Sequence, residues 1–225
     1  MNLHRTLAKG SLAILLLPVL VLGQDSSGPK TPERIVKGNT ITSIANPGVV
    51  IKVPKSFRHA GADRWNLLDI ADCEIHMFVE ADRNKVVKRY FWIQFEGYLD
   101  SKPDYSYDYH NGTNMKLYGL DFNVRARFGT NEKPKPESDL DHAFAILKKA
   151  GYTLPPDLMN VRLVHLIPES NKRKELMTIY AEDMALSGLK FSDFVKDGKI
   201  APKWLEVEPK LIARAIAKLK LTQGH

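Results

Sequence analysis

The segment from Asp72 to Leu99, DCEIHMFVEADRNKVVKRYFWIQFEGYL, alternates apolar and polar residues on both sides of a short Asp/Asn-containing stretch. A period of two is typical of a β-strand, and two such runs joined by a turn predict a β-hairpin. No other segment constrains the fold as strongly, because an isolated hairpin is marginally stable and this one has to lie within a larger sheet.

The hydrophobic pattern also predicts a register for this hairpin. A loop at residues 82–84 places Ala81 opposite Lys85 and brings apolar partners together on one face: Val79 with Val87, Ile75 with Phe91, and Cys73 with Ile93. The other face would then carry polar and aromatic side chains, namely Glu74, His76, Tyr90, Trp92, Gln94 and Glu96. This face is the candidate site, although a solvated sheet surface or a helix contact would show the same composition.

The rest of the chain predicts an α+β fold. A third alternating run covers residues 117–128, and a second hairpin is expected from residues 160–168 and 175–183. Helices are expected at about 138–150 and 206–221, the first with Ser138 as N-cap and Gly151 at its end. We therefore expect a mainly antiparallel sheet of about six strands, with both helices packed on one face.

The N-terminus has the pattern of a secretory signal peptide. Arg5 and Lys9 precede the apolar run 12–22, and Val21 and Gly23 are small enough to flank a cleavage site. The run is shorter than the about 20 residues that cross a bilayer, so no stable membrane insertion is expected after cleavage. The predicted organisation is a signal peptide (1–23), a flexible N-terminus (24–45) and a single α+β domain (46–225), in an exported protein that is periplasmic or secreted.

Composition narrows the classes of partner. The formal net charge is +7, but acidic and basic residues are interspersed without a dense Lys/Arg tract, which argues against nucleic acid as a partner. Cys73 is the only cysteine, so no internal disulfide is expected, and a small buried hydrophobe is its expected role. The histidines show no close metal-ligand spacing, and we expect neither a metal nor a cofactor.

Three functional hypotheses follow. The first is an exported domain that binds a small ligand or a protein partner through Glu74, His76, Tyr90, Trp92 and Gln94. The second is an extracytoplasmic hydrolase or isomerase in which His76 is the general acid–base, with Glu74 or Glu96 as its partner. The third is an interaction module without a pocket, which would use an exposed sheet edge or the loop 100–114.

Overall fold

A computed structural model describes residues 30–224 of the protein. The predicted signal peptide and residues 24–29 lie outside this range. Within it, the chain forms thirteen β-strands and two α-helices. The strands are β1 (Ile35–Lys37), β2 (Thr40–Ser43), β3 (Val49–Lys52), β4 (Arg58–Leu67), β5 (Ala71–Ala81), β6 (Val87–Tyr98), β7 (Thr113–Leu117), β8 (Leu120–Thr130), β9 (Asp157–Leu166), β10 (Lys174–Asp183), β11 (Val195–Lys196), β12 (Lys199–Ile200) and β13 (Lys220–Gln223). The helices are α1 (Asp139–Lys149) and α2 (Pro202–Lys218).

Seven strands build the main sheet, in the order β4-β5-β6-β10-β9-β8-β7, and every neighbouring pair is antiparallel. The predicted mainly antiparallel sheet is confirmed, as are the two hairpins β5–β6 and β9–β10. A second sheet of four strands has the order β1-β2-β3-β13. The fold is therefore dominated by sheets, with few helices.

The main sheet is covered on both faces. On one face, which we call the α2 face, side chains of the sheet pack against the four-stranded sheet and α2, with Phe91, Phe95, Phe122, Tyr180, Trp204 and Leu211 in the core. On the other, the α1 face, the core includes Ile75, Met77, Trp92, Ala143, Leu147 and Met177. The expectation that both helices lie on one face is wrong, because each helix carries a separate apolar stripe that buries against a different face.

Helix α1 begins and ends as its sequence predicts. The Ser138 hydroxyl accepts a hydrogen bond from the backbone N–H of Asp141, which satisfies one of the free donors of the first turn. The chain leaves the helix at Gly151, whose φ of 78° is the left-handed conformation that favours glycine. Helix α1 lies across β4 and β5. It therefore covers the β8–β9 half of the α1 face less than the β4–β5 half.

Two segments that the sequence analysis assigned to other structures form strands. Residues 35–43, part of the expected flexible N-terminus, form β1 and β2 because they pair with each other and with β3. The run 117–128 is not one strand: Tyr118 and Gly119 have φ values of 56° and 82° and form the two-residue turn of the β7–β8 hairpin. Neither helix within residues 30–224 has the length and apolar character needed to cross a membrane.

Candidate functional site

The observed register of the β5–β6 hairpin divides the predicted site between two faces. The loop spans residues 82–86 and is held by the Asp82 carboxylate, which accepts hydrogen bonds from the backbone N–H groups of Asn84 (2.8 Å) and Val86 (2.9 Å). Ala81 pairs with Val87 and Glu80 with Arg89, so Lys88 is an extra residue in β6.

The observed loop is two residues longer than the predicted loop at 82–84. This difference alone would shift the register by two residues and leave each side chain of β6 on its predicted face. The bulge adds one more residue and exchanges the faces of β6, so that Cys73 lies opposite Glu96 and His76 opposite Ile93. Consequently Glu74 and His76 point to the α2 face. The side chains of Tyr90, Trp92, Gln94 and Glu96 point to the α1 face, and the predicted grouping of all six residues is wrong.

On the α2 face, Glu74 fastens the N-terminal strap, which we define as residues 30–43. Its carboxylate accepts hydrogen bonds from the backbone N–H groups of Glu33 (2.7 Å) and Arg34 (2.9 Å), and from the Arg34 guanidinium (3.0 Å). The ring Nε2 of His76 lies 2.8 Å from the same carboxylate. These bonds outweigh the cost of burial and lower the pKa of Glu74 to about 2.

Glu74 and His76 are each 1% exposed. The strap covers them, and its Arg34 also lies over the ring of Phe95 at 4.4 Å. The carboxylate of Glu74 therefore connects the strap to the main sheet, with His76 hydrogen-bonded to the same carboxylate.

On the α1 face, Cys73, Glu96 and Glu175 lie side by side on β5, β6 and β10. Asp139, the first residue of α1, completes an acidic cluster, since ligand atoms of Cys73, Glu96 and Asp139 all lie within 4.8 Å of one another. A chain of hydrogen bonds supports Glu96: the Trp92 indole donates to Gln94 (2.8 Å), and the Gln94 amide donates to Glu96 (2.7 Å).

Two tyrosines from the loop between β6 and β7 cover the acidic cluster. The Tyr107 hydroxyl donates to Glu96 (2.7 Å), and the Tyr109 hydroxyl donates to Glu175 (2.6 Å). The loop itself is held by Arg173, whose guanidinium donates to the backbone carbonyls of Lys102 (2.6 Å) and Leu99 (2.9 Å), among others. Beneath this loop Glu175 is 2% exposed, whereas Glu96 is half-buried.

Burial favours the protonated forms of Glu175, Asp139 and Cys73. It raises the pKa of Glu175 to about 8, helped by the charge of Glu96, and the pKa of Asp139 to about 6. Burial likewise raises the pKa of the Cys73 thiol, so Cys73 is a thiol and not a nucleophilic thiolate at neutral pH. The three clustered groups could ligate a metal only after the thiol lost its proton.

Farther along the α1 face, the charge changes sign. Arg125 on β8 lies directly opposite Arg162 on β9, and Arg127 follows two residues later on the same face. Burial and the charges of the other two arginines lower the pKa of Arg127. Within residues 30–224, no carboxylate lies within salt-bridge distance of these three guanidinium groups. We call them the arginine triad.

Beside the arginine triad is an open cavity of about 530 Å³, which lies between the sheet, α1 and the segment 129–135. We call it the linker cavity. Its polar lining includes Arg127 and Asn160, and its apolar lining includes Leu140, Phe144 and Leu158. Tyr90 also lines it, is 7% exposed, and has its pKa raised to about 12 by burial alone.

Of the five residues expected to bind a ligand, Tyr90 alone lines this cavity, while Trp92 and Gln94 are buried beneath the acidic cluster. The sequence analysis did not select Glu175 or the arginine triad. Arg125 and Arg127 do alternate with apolar residues in the third run, which placed them on a common face. The position of Arg125 opposite Arg162 could not be recognised without the β8–β9 register. No known family, curated protein or solved structure matches the chain.

Proposed function

We propose that this is an exported protein that binds a small molecule in the linker cavity. The observation that carries the proposal is a cavity of about 530 Å³ whose lining includes Tyr90, an almost completely buried tyrosine. Small-molecule sites typically have volumes of about 300–1,000 Å³ and combine an apolar lining with a few polar groups. The hydroxyl of Tyr90 is not among the buried side-chain atoms that lack a hydrogen-bond partner within residues 30–224, and Tyr90 lines the cavity, where a ligand could bond to this hydroxyl.

The lining favours a ligand with an apolar body. Leu140 and Phe144 belong to α1, and Leu158 belongs to β9, so an occupant would bury its surface between the helix and the sheet. Asn160 and Tyr90 offer hydrogen-bonding groups at the sheet side of the same space. Acid–base catalysis by His76 is less well supported, because His76 is 1% exposed and already paired with Glu74.

The experiment is a titration with N-phenyl-1-naphthylamine, a neutral apolar dye whose fluorescence rises on leaving water. We expect saturable binding to one site per chain. The blocking variant is Gly129→Phe: Gly129 lies two residues after Arg127 on the same face of β8, and a Cβ added there meets no atom within 4 Å. The new ring would occupy the cavity without disturbing the sheet.

The matched control is Lys52→Phe, which adds the same ring at an exposed position of β3, in the second sheet. We expect Gly129→Phe to weaken dye binding by at least about tenfold and Lys52→Phe to leave it unchanged. Unchanged dye binding in a folded Gly129→Phe variant would overturn the proposal.

A further inference from the structure

The arginine triad carries a charge that the fold itself does not neutralise. Arg125 and Arg162 are directly opposed on neighbouring strands, where side chains lie about 5 Å apart and like charges are destabilising. Arg162 lies over the ring of Tyr109, with its guanidinium carbon 4.7 Å from the ring centre, and its Nε has no hydrogen-bond partner within residues 30–224. We infer that the ligand of the linker cavity is an amphiphile with an oxyanion head group, which the arginine triad binds; this inference rests on the proposed function.

The neighbouring acids do not supply the missing anion. Glu175 is the carboxyl group whose charge acts on Arg162, and it is engaged by the Tyr109 hydroxyl at 2.6 Å. Its raised pKa, about 8, leaves it mainly protonated at neutral pH. Arg125, which is half-buried, and Arg127, which is exposed, therefore face the α1 side with no carboxylate of residues 30–224 within salt-bridge distance.

The cavity and the triad are continuous, because Arg127 belongs to both. Lys133 and Lys135 add two cationic groups to the cavity wall, against a single acidic residue, Glu132. Guanidinium groups bind carboxylate, phosphate and sulfonate oxygens through paired N–H donors. An oxyanion at Arg127 would leave the apolar body of the same molecule against Leu140 and Phe144.

The required chemistry is shared by alkyl acids and by aromatic acids, and the two sources can be separated experimentally. The first probe pair is 8-anilino-1-naphthalenesulfonate and N-phenyl-1-naphthylamine, which have the same aromatic body and differ in the sulfonate. The second pair is decanoate and 1-decanol, measured by displacement of the bound dye. If the aromatic sulfonate binds more tightly than decanoate, the apolar body of the ligand is aromatic. If decanoate binds more tightly, the body is an alkyl chain.

In the wild-type protein, we expect the sulfonate to bind at least about tenfold more tightly than the neutral dye at low salt, with this preference decreasing as salt is added. Arg125→Gln and Arg127→Gln should each reduce the preference. Arg125 does not line the cavity, so Arg125→Gln should also leave neutral-dye binding unchanged. Arg83→Gln, at an exposed position in the β5–β6 loop, is the control and should change neither affinity.

The outcomes separate this inference from the proposed function. Equal affinities for the two members of each pair, or a preference that survives in both arginine variants, would overturn the oxyanion inference and leave a neutral-ligand site. Absence of saturable binding by all four probes would remove the proposed function and the inference together. Neutral-dye binding in each variant also shows that the cavity has folded.

Discussion

Replacing Glu74 by glutamine tests whether the buried carboxylate holds the N-terminal strap on the main sheet. The pKa of Glu74 falls from its ordinary value of 4.5 to about 2. That shift corresponds to about 3.4 kcal/mol of stabilisation at neutral pH. Because part of that shift comes from hydrogen bonds, which are counted separately below, we expect about 2 kcal/mol from the charge.

Lost hydrogen bonds should lower the free energy of unfolding of Glu74→Gln further. All the neighbours of the carboxylate within hydrogen-bond range are N–H donors or the ring nitrogen of His76, so the amide nitrogen of glutamine would face donors instead of acceptors. Losing at least one bond costs about 1 kcal/mol. We therefore expect Glu74→Gln to lower the free energy of unfolding by about 3 kcal/mol at pH 7.

The pH dependence gives a second, independent criterion. A lowered carboxyl pKa means that the stabilisation is present above 4.5 and is lost as the pH falls toward 2. Glutamine does not titrate, so the difference between the wild-type protein and the variant should narrow on acidification. More than half of the charge contribution should be gone by pH 3.

The assay is urea unfolding followed by tryptophan fluorescence at pH 7, 5 and 3, together with trypsin cleavage in the strap at Arg34 and Lys37. The control is Glu80→Gln on the same face of β5, which removes a partly exposed pair with Arg89 and should cost less than about 0.5 kcal/mol. If Glu74→Gln costs no more than the control, or if its effect is the same at pH 7 and pH 3, the reasoning is refuted.

Three further variants test other parts of the structure. Glu175→Gln should raise thermal stability above pH 8 and change it little at pH 5. The raised pKa of Glu175 means that the wild-type protein loses stability as the pH rises from 4.5 to 8, and glutamine does not titrate. An equal effect at both pH values would contradict this. Arg173→Lys should lower the free energy of unfolding by about 2 kcal/mol and increase chymotrypsin cleavage at Tyr105. Lysine cannot form the several hydrogen bonds that the guanidinium group donates to carbonyls of the loop. Unchanged cleavage would count against this. Gly61→Ala should lower the melting temperature, because its Cβ would lie 2.9 Å from Ile146 in α1; a variant as stable as the wild-type protein would show that α1 can move away.

Local signals predicted individual elements well because each element carries its own pattern. The capped sequence from Ser138 to Gly151 gave helix α1, and the charged stretch between two β-rich runs gave the β9–β10 hairpin. The strap could not be predicted in this way. Its short strands are stable because they pair with β3 and are held by Glu74, and both of those contacts are distant in sequence.

The candidate site failed to emerge from the sequence for a more specific reason. Alternation reveals which face of a strand is buried only when the other face meets water. In β5 both faces are buried over residues 73–79, and the polar residues Glu74 and His76 are as inaccessible as Ile75 and Met77. Apolar matching across the hairpin therefore could not determine the register, and the single extra residue at Lys88 exchanged the two faces of β6. The same bulge that separates Tyr90 from His76 directs Tyr90 into the linker cavity, so any sequence-based search for this site must first place the bulge.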